Sequence, residues 1–310
     1  MQRTVDAMIT TSERRAHYSK VVLRLPMPQE PWLLAEHQRR NLTTLNANAL
    51  FASHRQQVMR LLKQAAGDSP GRLGVLGAGN CNDLDLGDLL AAYLEIALVD
   101  LDRAATVSAV ATTIDDSLRH RIHIADSTDV TGAFERLQMA GTEDFGSDAA
   151  ADSFGFFSAV PQIPFAPFDC IVSTCLLSQL IDSVVLVLGL DHPSLVPLIL
   201  ALRKQHLRTL VQSLVPDGRG LLIFDFVSSQ SLPNLMQIDE SHLNRTLIDA
   251  INAKNFFTGL NPFAVQAELT THADLAGLIR NIRLHPPWRW DIGQKQFAVA
   301  AISFVRGHAR

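Results

Sequence analysis

Short apolar runs alternate with longer amphipathic stretches along most of this chain. Five runs, each of five to seven residues, are rich in Val, Ile and Leu and lie at about 73–77, 95–100, 120–125, 168–173 and 221–227. Runs of this length and composition are typical of strands buried in a parallel sheet. Because helical patterns separate several of these runs, the order predicts an α/β fold with crossover helices.

Helical periodicity predicts the remaining elements. Apolar residues from Leu42 to Leu62 recur at near-helical spacing, which predicts an amphipathic helix that ends near Gly67. Further helices are predicted at about 83–93, 103–114, 192–214, 239–254 and 264–280. A pair of terminal strands is predicted at 283–290 and 297–305, separated by a polar turn.

These elements predict two parts of the chain. Residues 1–70 form an N-terminal helical extension, and residues 71–310 form the α/β domain. Within that domain, residues 141–167 are rich in Gly, Asp, Ser, Ala, Pro and Phe, a composition that predicts a long inserted loop packed on its own domain.

Composition and charge exclude several classes of protein. The formal net charge of -4 argues against general adhesion to nucleic acid, and the ten basic residues found among residues 1–63 have only Tyr18, Trp32 and Phe51 as aromatic neighbours in the sequence, too few for a stacking platform. The three cysteines lack metal-ligand spacing and fit a reducing compartment, so we expect a cytoplasmic protein. The apolar run 176–190 contains Gln179 and Asp182 and is too short for a membrane helix.

The strongest chemical signal is a glycine turn after the first predicted strand. Leu73-Gly-Val-Leu-Gly-Ala-Gly79 leads into a helix, and the second strand ends on Asp100. A glycine turn lets the backbone approach a nucleotide, and a carboxylate about 20 residues on can accept hydrogen bonds from both ribose hydroxyls. The pattern therefore predicts a ligand that contains adenosine.

Taken in order, these residues resemble the class I S-adenosylmethionine-dependent methyltransferases, from about Leu42 onward. The resemblance rests on the glycine turn, on Asp100, on Ala125-Asp-Ser127 after the third strand, and on Leu214-Val-Pro-Asp-Gly-Arg-Gly220 before the fifth. It implies a Rossmann-like three-layer sandwich whose seven-stranded, mostly parallel sheet has an antiparallel last strand. It also implies methyl transfer from S-adenosyl-L-methionine to an oxygen or nitrogen of a small molecule, without a metal.

The family pattern carries over to specific positions of this chain. It implies that Asp100 binds ribose and that Asp126 and Ser127 hold adenine. The full set of implied cofactor-binding residues is Gly77, Ala78, Gly79, Asn80, Asp83, Asp100, Leu101, Asp126, Ser127, Ser173 and Thr174. The N-terminal extension and the 141–167 insertion would form the acceptor pocket.

The chain departs from the family pattern at two positions of the glycine turn. The family usually has an acidic residue two before the first glycine, where this chain has Val75, and Cys81 replaces the third glycine. Asp83 could supply the absent carboxylate, although an Asp at the start of a helix is equally typical of an N-cap.

Few residues suggest catalysis directly. The resemblance implies that Ser173, Thr174, Cys175 and Gln179 line the reacting centre. His192, where a loop becomes a helix, is a candidate base, and Tyr18 is a candidate to close over the cofactor. His285-Pro-Pro-Trp288 superficially resembles a base-methylation motif, but its place near the terminal strands predicts an edge element.

Two other functions remain open. The glycine turn and Asp100 also suit an NAD(P)-dependent oxidoreductase, but neither Tyr18 nor Tyr93 has a lysine four residues on, as short-chain dehydrogenases require. A non-catalytic S-adenosylmethionine-binding scaffold would explain the changes at Val75 and Cys81.

Overall fold

The computed structural model describes residues 32–67, 71–140, 155, 157–293 and 295–308. Within these ranges, none of the helices is both long enough and apolar enough to cross a membrane. Tyr18 and most of the predicted insertion lie outside the described residues.

From residue 72 to residue 228, each pair of successive strands is separated by at least one α-helix, and the last pair by two. The strands are β1 (Arg72–Leu76), β2 (Glu95–Val99), β3 (Ile122–Ile124), β4 (Phe168–Thr174), β5 (Leu214–Ser228), β6 (Ile279–Leu284), β7 (Trp288–Asp291) and β8 (Gln296–Arg306). The α-helices are α1 (Trp32–Thr44), α2 (Ala52–Ala66), α3 (Leu86–Ala92), α4 (Arg103–Thr113), α5 (Phe134–Ala140), α6 (Leu176–Leu188), α7 (Leu195–Gln212), α8 (Glu240–Asn252) and α9 (Pro262–Thr271).

All eight strands belong to one sheet, in the order β3-β2-β1-β4-β5-β8-β6, with β7 also paired to β8. Strands β1 to β5 pair in parallel, and β8 runs antiparallel to β5. Both β6 and β7 pair with the same strand, β8. They form one edge strand that Pro286 and Pro287 interrupt. Proline is tolerated at a sheet edge because no further strand needs its missing N–H. The predicted mostly parallel sheet with an antiparallel last strand is confirmed.

The sheet separates two apolar layers. One layer contains α5, α6 and α7, with Leu177 and Ile199 among its fully buried side chains. The other contains α2, α3 and α4 and is closed by Trp288 and Trp290. Helix α2 is therefore part of the domain core, since Val58 and Leu62 are fully buried. Each such side chain contributes about 1.5–3 kcal/mol by leaving water.

Two predicted helices differ from the structure, and one observed helix was not predicted. The predicted helix at 192–214 is preceded by α6, which was not predicted, and the one at 264–280 ends at Thr271, before β6. The amphipathic stretch 42–62 contains the end of α1, a short 3-10 helix (Asn48–Phe51) and most of α2. Helix α6 begins after Cys175, whose side chain makes no capping hydrogen bond, so the usual N-cap signal is missing there.

Candidate functional site

The glycine turn follows β1 at the carboxyl edge of the sheet. Gly77 and Gly79 have φ angles of 78° and 46°, a region that favours glycine. The N–H of Gly77 donates to Val99 O at 2.9 Å, and a Cβ on Gly77 would lie 2.8 Å from Leu176 Cβ. Cys81, at the family's third glycine position, has a φ of 54°. The turn therefore keeps its left-handed conformation there although the glycine is lost.

A cleft opens beside this turn, over the carboxyl ends of β1, β2, β3 and β4. Ligands of open α/β sheets bind at this edge, where the strand order reverses. Its empty volume is about 530 Å³ with the open mouth included. The cleft is lined by His37, Asn41, Gly77, Gly79, Asp100, Leu101, Thr128, Asp129, Val130, Phe134, Leu176, Gln179 and Leu180.

Asp100 forms the polar floor of the cleft at the end of β2. Its Oδ2 accepts a hydrogen bond from Gly79 N at 2.8 Å, and its Oδ1 accepts one from Asp102 N at 2.8 Å. Burial raises the pKa of Asp100 to about 6, and backbone N–H groups of Asp102, Gly79 and Leu101 oppose that rise. The group is thus ionised at neutral pH and fixed in orientation. Each oxygen keeps a lone pair for a ligand.

Helix α1 lies across the cleft and is tied to the glycine turn at its C-terminal end. Asn80 Nδ2 donates to Asn41 O at 2.6 Å and to Thr44 Oγ1 at 3.1 Å, and Asn82 Nδ2 donates to Thr44 O at 2.8 Å. Asn41 Nδ2 donates to Asp102 Oδ2 at 3.0 Å. These bonds satisfy carbonyl groups that the helix end leaves free. We call this set of contacts the α1 latch.

The other end of the cleft is built by α1 and α6. His37 Nε2 lies 3.1 Å from Ser183 Oγ, which in turn donates to Gln179 O at 3.0 Å. The serine hydroxyl has one proton, so His37 Nε2 is the donor of this pair and Nδ1 is unprotonated. Burial, assisted by the charge of Arg40, lowers the pKa of His37 to about 4. His37 is therefore neutral at pH 7.

Asp83 lies on the far side of the turn from the cleft, in the layer of α2. Its Oδ1 lies 3.4 Å from His54 Nε2, and Thr174 donates a hydrogen bond to the same carboxyl group. Trp288 Nε1 donates to His54 Nδ1 at 3.1 Å, which places the proton of neutral His54 on Nε2. Burial raises the pKa of Asp83 to about 7 and lowers the pKa of His54 to about 3.

Four of the predicted cofactor-binding residues line the cleft, and the others do not. Gly77, Gly79, Asp100 and Leu101 are in the lining. The remaining seven have other surroundings. Ala78 is buried in the turn, Asn80 holds α1 and Asp83 contacts His54. Asp126 is fully exposed beside Arg103, Ser127 is exposed, Ser173 forms a hydrogen bond with buried His206, and Thr174 forms one with Asp83.

After β3, the residues that line the cleft follow directly after the predicted pair Asp126 and Ser127. Because β3 ends at Ile124, the chain turns outward at Asp126 and Ser127 before Thr128, Asp129 and Val130 return to the cleft. Asp129 then accepts hydrogen bonds from Thr131 N and Phe134 N, so it holds the start of α5.

Of the two candidate catalytic residues, His192 is not part of the cleft lining. Tyr18 lies outside the described residues, and His192, in the loop between α6 and α7, accepts a hydrogen bond from Ser194 N at 3.1 Å. His37, Asn41 and Phe134 were not predicted, because the spacing of residues in α1 and α5 carries no motif. The structure does place Gln179 in the lining.

The described part of the chain contains no group of three or more His, Cys, Asp or Glu side chains positioned to hold a metal ion. Asp225, near the end of β5, accepts a hydrogen bond from Ser178. Burial raises the pKa of Asp225 to about 6.

No model of a known protein family matches this chain, and no curated protein does. Solved structures do match. N-methyltransferase NodS from Bradyrhizobium japonicum WM9 is 12% identical, with a TM-score of 0.44 over 83% of this chain and 97% of that one. Human N-acetylserotonin methyltransferase, solved in complex with SAM, is 13% identical, with a TM-score of 0.47 over 97% of this chain and 70% of that one.

A third similar structure is 1,6-didemethyltoxoflavin-N1-methyltransferase from Burkholderia thailandensis. It is 12% identical, with a TM-score of 0.44 over 92% of this chain and 94% of that one. At 12–13% identity, these similarities assign neither a ligand nor a reaction to this chain.

Proposed function

We propose that this chain is an S-adenosylmethionine-dependent methyltransferase that acts on an oxygen or nitrogen of a small molecule, without a metal. The observation that carries the proposal is the fixed carboxylate of Asp100 directly beside Gly79. Both of its oxygens are held by backbone N–H groups, and both can still accept hydrogen bonds from neighbouring ribose hydroxyls.

The residues around Asp100 suit an adenosine. Leu101 and Val130 offer apolar surface for the faces of an adenine ring, and Phe134 extends that surface. Gly77 and Gly79 carry no Cβ, so that a ligand can approach the backbone of the turn closely. We assign adenine binding to the segment 128–130 in place of Asp126 and Ser127.

The cofactor, when bound, supplies a methyl group on a positively charged sulfur. The chain's own contribution is alignment and exclusion of water, because an in-line displacement needs little else from the protein. Helix α1 covers the cleft and supplies that exclusion. No protein base is required if the acceptor is already unprotonated. The acceptor would enter between the N-terminal extension and the segment 141–167.

The α1 latch also fits a second function, that of a non-catalytic scaffold. The hydrogen bonds of Asn80 and Asn82 hold α1 over the cleft, so we infer that α1 shifts to admit a cofactor. A scaffold that keeps its cleft closed would have the same latch. Turnover with a panel of small-molecule hydroxyl and amine acceptors separates the two, since a scaffold binds the cofactor but transfers no methyl group.

Calorimetric titration with S-adenosylhomocysteine and with NAD tests the proposal. We expect saturable binding of S-adenosylhomocysteine and none of NAD at the same concentrations. Binding of NAD with no response to S-adenosylhomocysteine would overturn the methyltransferase assignment in favour of an oxidoreductase.

A further inference from the structure

The polar side chains of the cleft fall into two groups. Four of them are held by hydrogen bonds to neighbouring groups: Asn41, Asp100, Thr128 and Asp129. The side-chain amide of Gln179 has no hydrogen-bond partner in the part of the chain that the structure describes, and neither has Nδ1 of His37. The cleft therefore presents one amide and one imidazole nitrogen that remain available to a ligand.

Both groups lie beside α6, since Gln179 is in that helix and His37 Nε2 is 3.1 Å from Ser183 Oγ of the same helix. Asp100 and the segment 128–130 follow β2 and β3, whereas Gln179 is in the first turn of α6, after β4. Leu176, one helical turn before Gln179, packs on Gly77. Residues three apart share a helix face, so Gln179 extends the same wall beyond the glycine turn.

We propose that Gln179 and His37 bind the amino-acid end of the cofactor, an inference that rests on the proposed function. The position that usually supplies a carboxylate to the ammonium group is Val75, which is fully buried in β1. An amide can donate to the ligand's carboxylate and accept from its ammonium group, and the free Nδ1 of neutral His37 can also accept. The subsite is thus uncharged but suited to a zwitterion.

Burial keeps His37 neutral, and therefore an acceptor, against most of the charged groups around it. Arg40 on its own helix favours the neutral form, while Glu36, Asp182 and Asp129 oppose it, and burial outweighs all of them to leave the pKa of His37 at about 4. The ring is fixed by Ser183 and by contact with Phe134, at 5.4 Å between ring centres.

The test compares two probes that share the adenosine and differ in the tail. S-Adenosylhomocysteine carries the amino-acid end, and methylthioadenosine lacks it. We expect Gln179→Ala to weaken S-adenosylhomocysteine binding by about tenfold, as for a lost hydrogen bond to a charged group, and to leave methylthioadenosine affinity within about twofold. His37→Phe, which keeps a ring against Phe134, should show the same selectivity. Gln56→Ala, an exposed glutamine on α2, is the matched control.

The outcomes separate this inference from the proposed function. Selective loss of S-adenosylhomocysteine affinity in Gln179→Ala supports the subsite. Equal loss for both probes, or no loss for either, overturns the subsite while the adenosine cleft stands. Failure of the wild-type protein to bind either probe overturns the proposed function, and the subsite with it.

Discussion

Asp100 and Asp83 are both carboxylates beside the glycine turn, but their surroundings differ. Asp100 faces the cleft and is held by two backbone N–H groups. Asp83 lies behind the turn, against His54 and Thr174. Burial raises the pKa of each, yet only Asp100 belongs to the cleft lining. A raised pKa reports burial and does not by itself identify a ligand site.

The two sides of the turn also have different roles. On the cleft side, backbone donors fix a carboxylate that stays open to a ligand. On the far side, the buried side chains of Trp288, His54 and Asp83 pack the loop against α2, and we call these three residues the polar chain. Trp288 donates to His54, whose Nε2 lies 3.4 Å from Asp83 Oδ1 without forming a hydrogen bond. Arg55 joins this support by donating to Asn82 O at 2.7 Å. Substitutions on the two sides should therefore affect different measurements.

The largest expected effect is on stability, at His54. His54→Ala leaves a cavity and removes the acceptor of the Trp288 N–H, so we expect the free energy of unfolding to fall by about 3 kcal/mol. Urea denaturation checks this value. His242→Ala, at an exposed position on α8, should change it by less than about 0.5 kcal/mol. A loss as small at His54 as at His242 would show that the polar chain does not stabilise the fold.

The second effect is the pH dependence that Asp83 contributes. The folded protein keeps the Asp83 proton up to a pKa of about 7, whereas the unfolded chain releases it near 3.8. Stability from this group is therefore present below pH 3.8 and is lost as the pH rises to 7. The Asp83→Asn variant has no titrating group at this position. Between pH 5 and pH 8, its free energy of unfolding should therefore rise by about 2–3 kcal/mol relative to that of the wild type. Parallel stability curves for the two proteins would refute the raised pKa.

A smaller effect concerns the α1 latch. Asn80→Ala removes the hydrogen bonds to Asn41 and Thr44 but keeps the backbone of the turn. Opening of α1 should then cost about 1 kcal/mol less, and S-adenosylhomocysteine should associate about fivefold faster in stopped flow. Slower association would mean that the Asn80 side chain contacts the ligand itself.

The smallest effect is expected at Asp126. Its side chain is fully exposed and 3.4 Å from Arg103 Nε, an arrangement that contributes little to stability. Asp126→Ala should leave S-adenosylhomocysteine affinity within about twofold in calorimetry. A tenfold loss would restore the adenine contact that the family pattern implies at this residue.

The fold was largely predictable because its strands are apolar runs bounded by turns, and the order of strands and helices predicts the sheet. Helix α6 was not predicted, because Leu176–Leu188 is apolar on most sides and lacks an N-cap signal. The split edge at Pro286 and Pro287 was predicted as an edge element, and pairing of β6 and β7 with β8 confirms it.

The site was predictable only where a motif fixes the backbone. Gly77, Gly79 and Asp100 follow from the turn and the strand end, and all three line the cleft. Spacing could not decide which way Asp83 faces, since that depends on packing against His54 in α2. Nor could it place His37, because the approach of α1 to the cleft depends on long-range hydrogen bonds to the turn.

The central claim is that Asp100, and not Asp83, is the carboxylate that meets the ligand. Calorimetric titration of S-adenosylhomocysteine into Asp100→Ala and Asp83→Asn tests it directly at pH 7. We predict that Asp100→Ala weakens binding by about 1–3 kcal/mol through lost hydrogen bonds to ribose, and that folded Asp83→Asn binds within about twofold of the wild type. Unchanged affinity in Asp100→Ala, with a large loss in Asp83→Asn, would contradict the account.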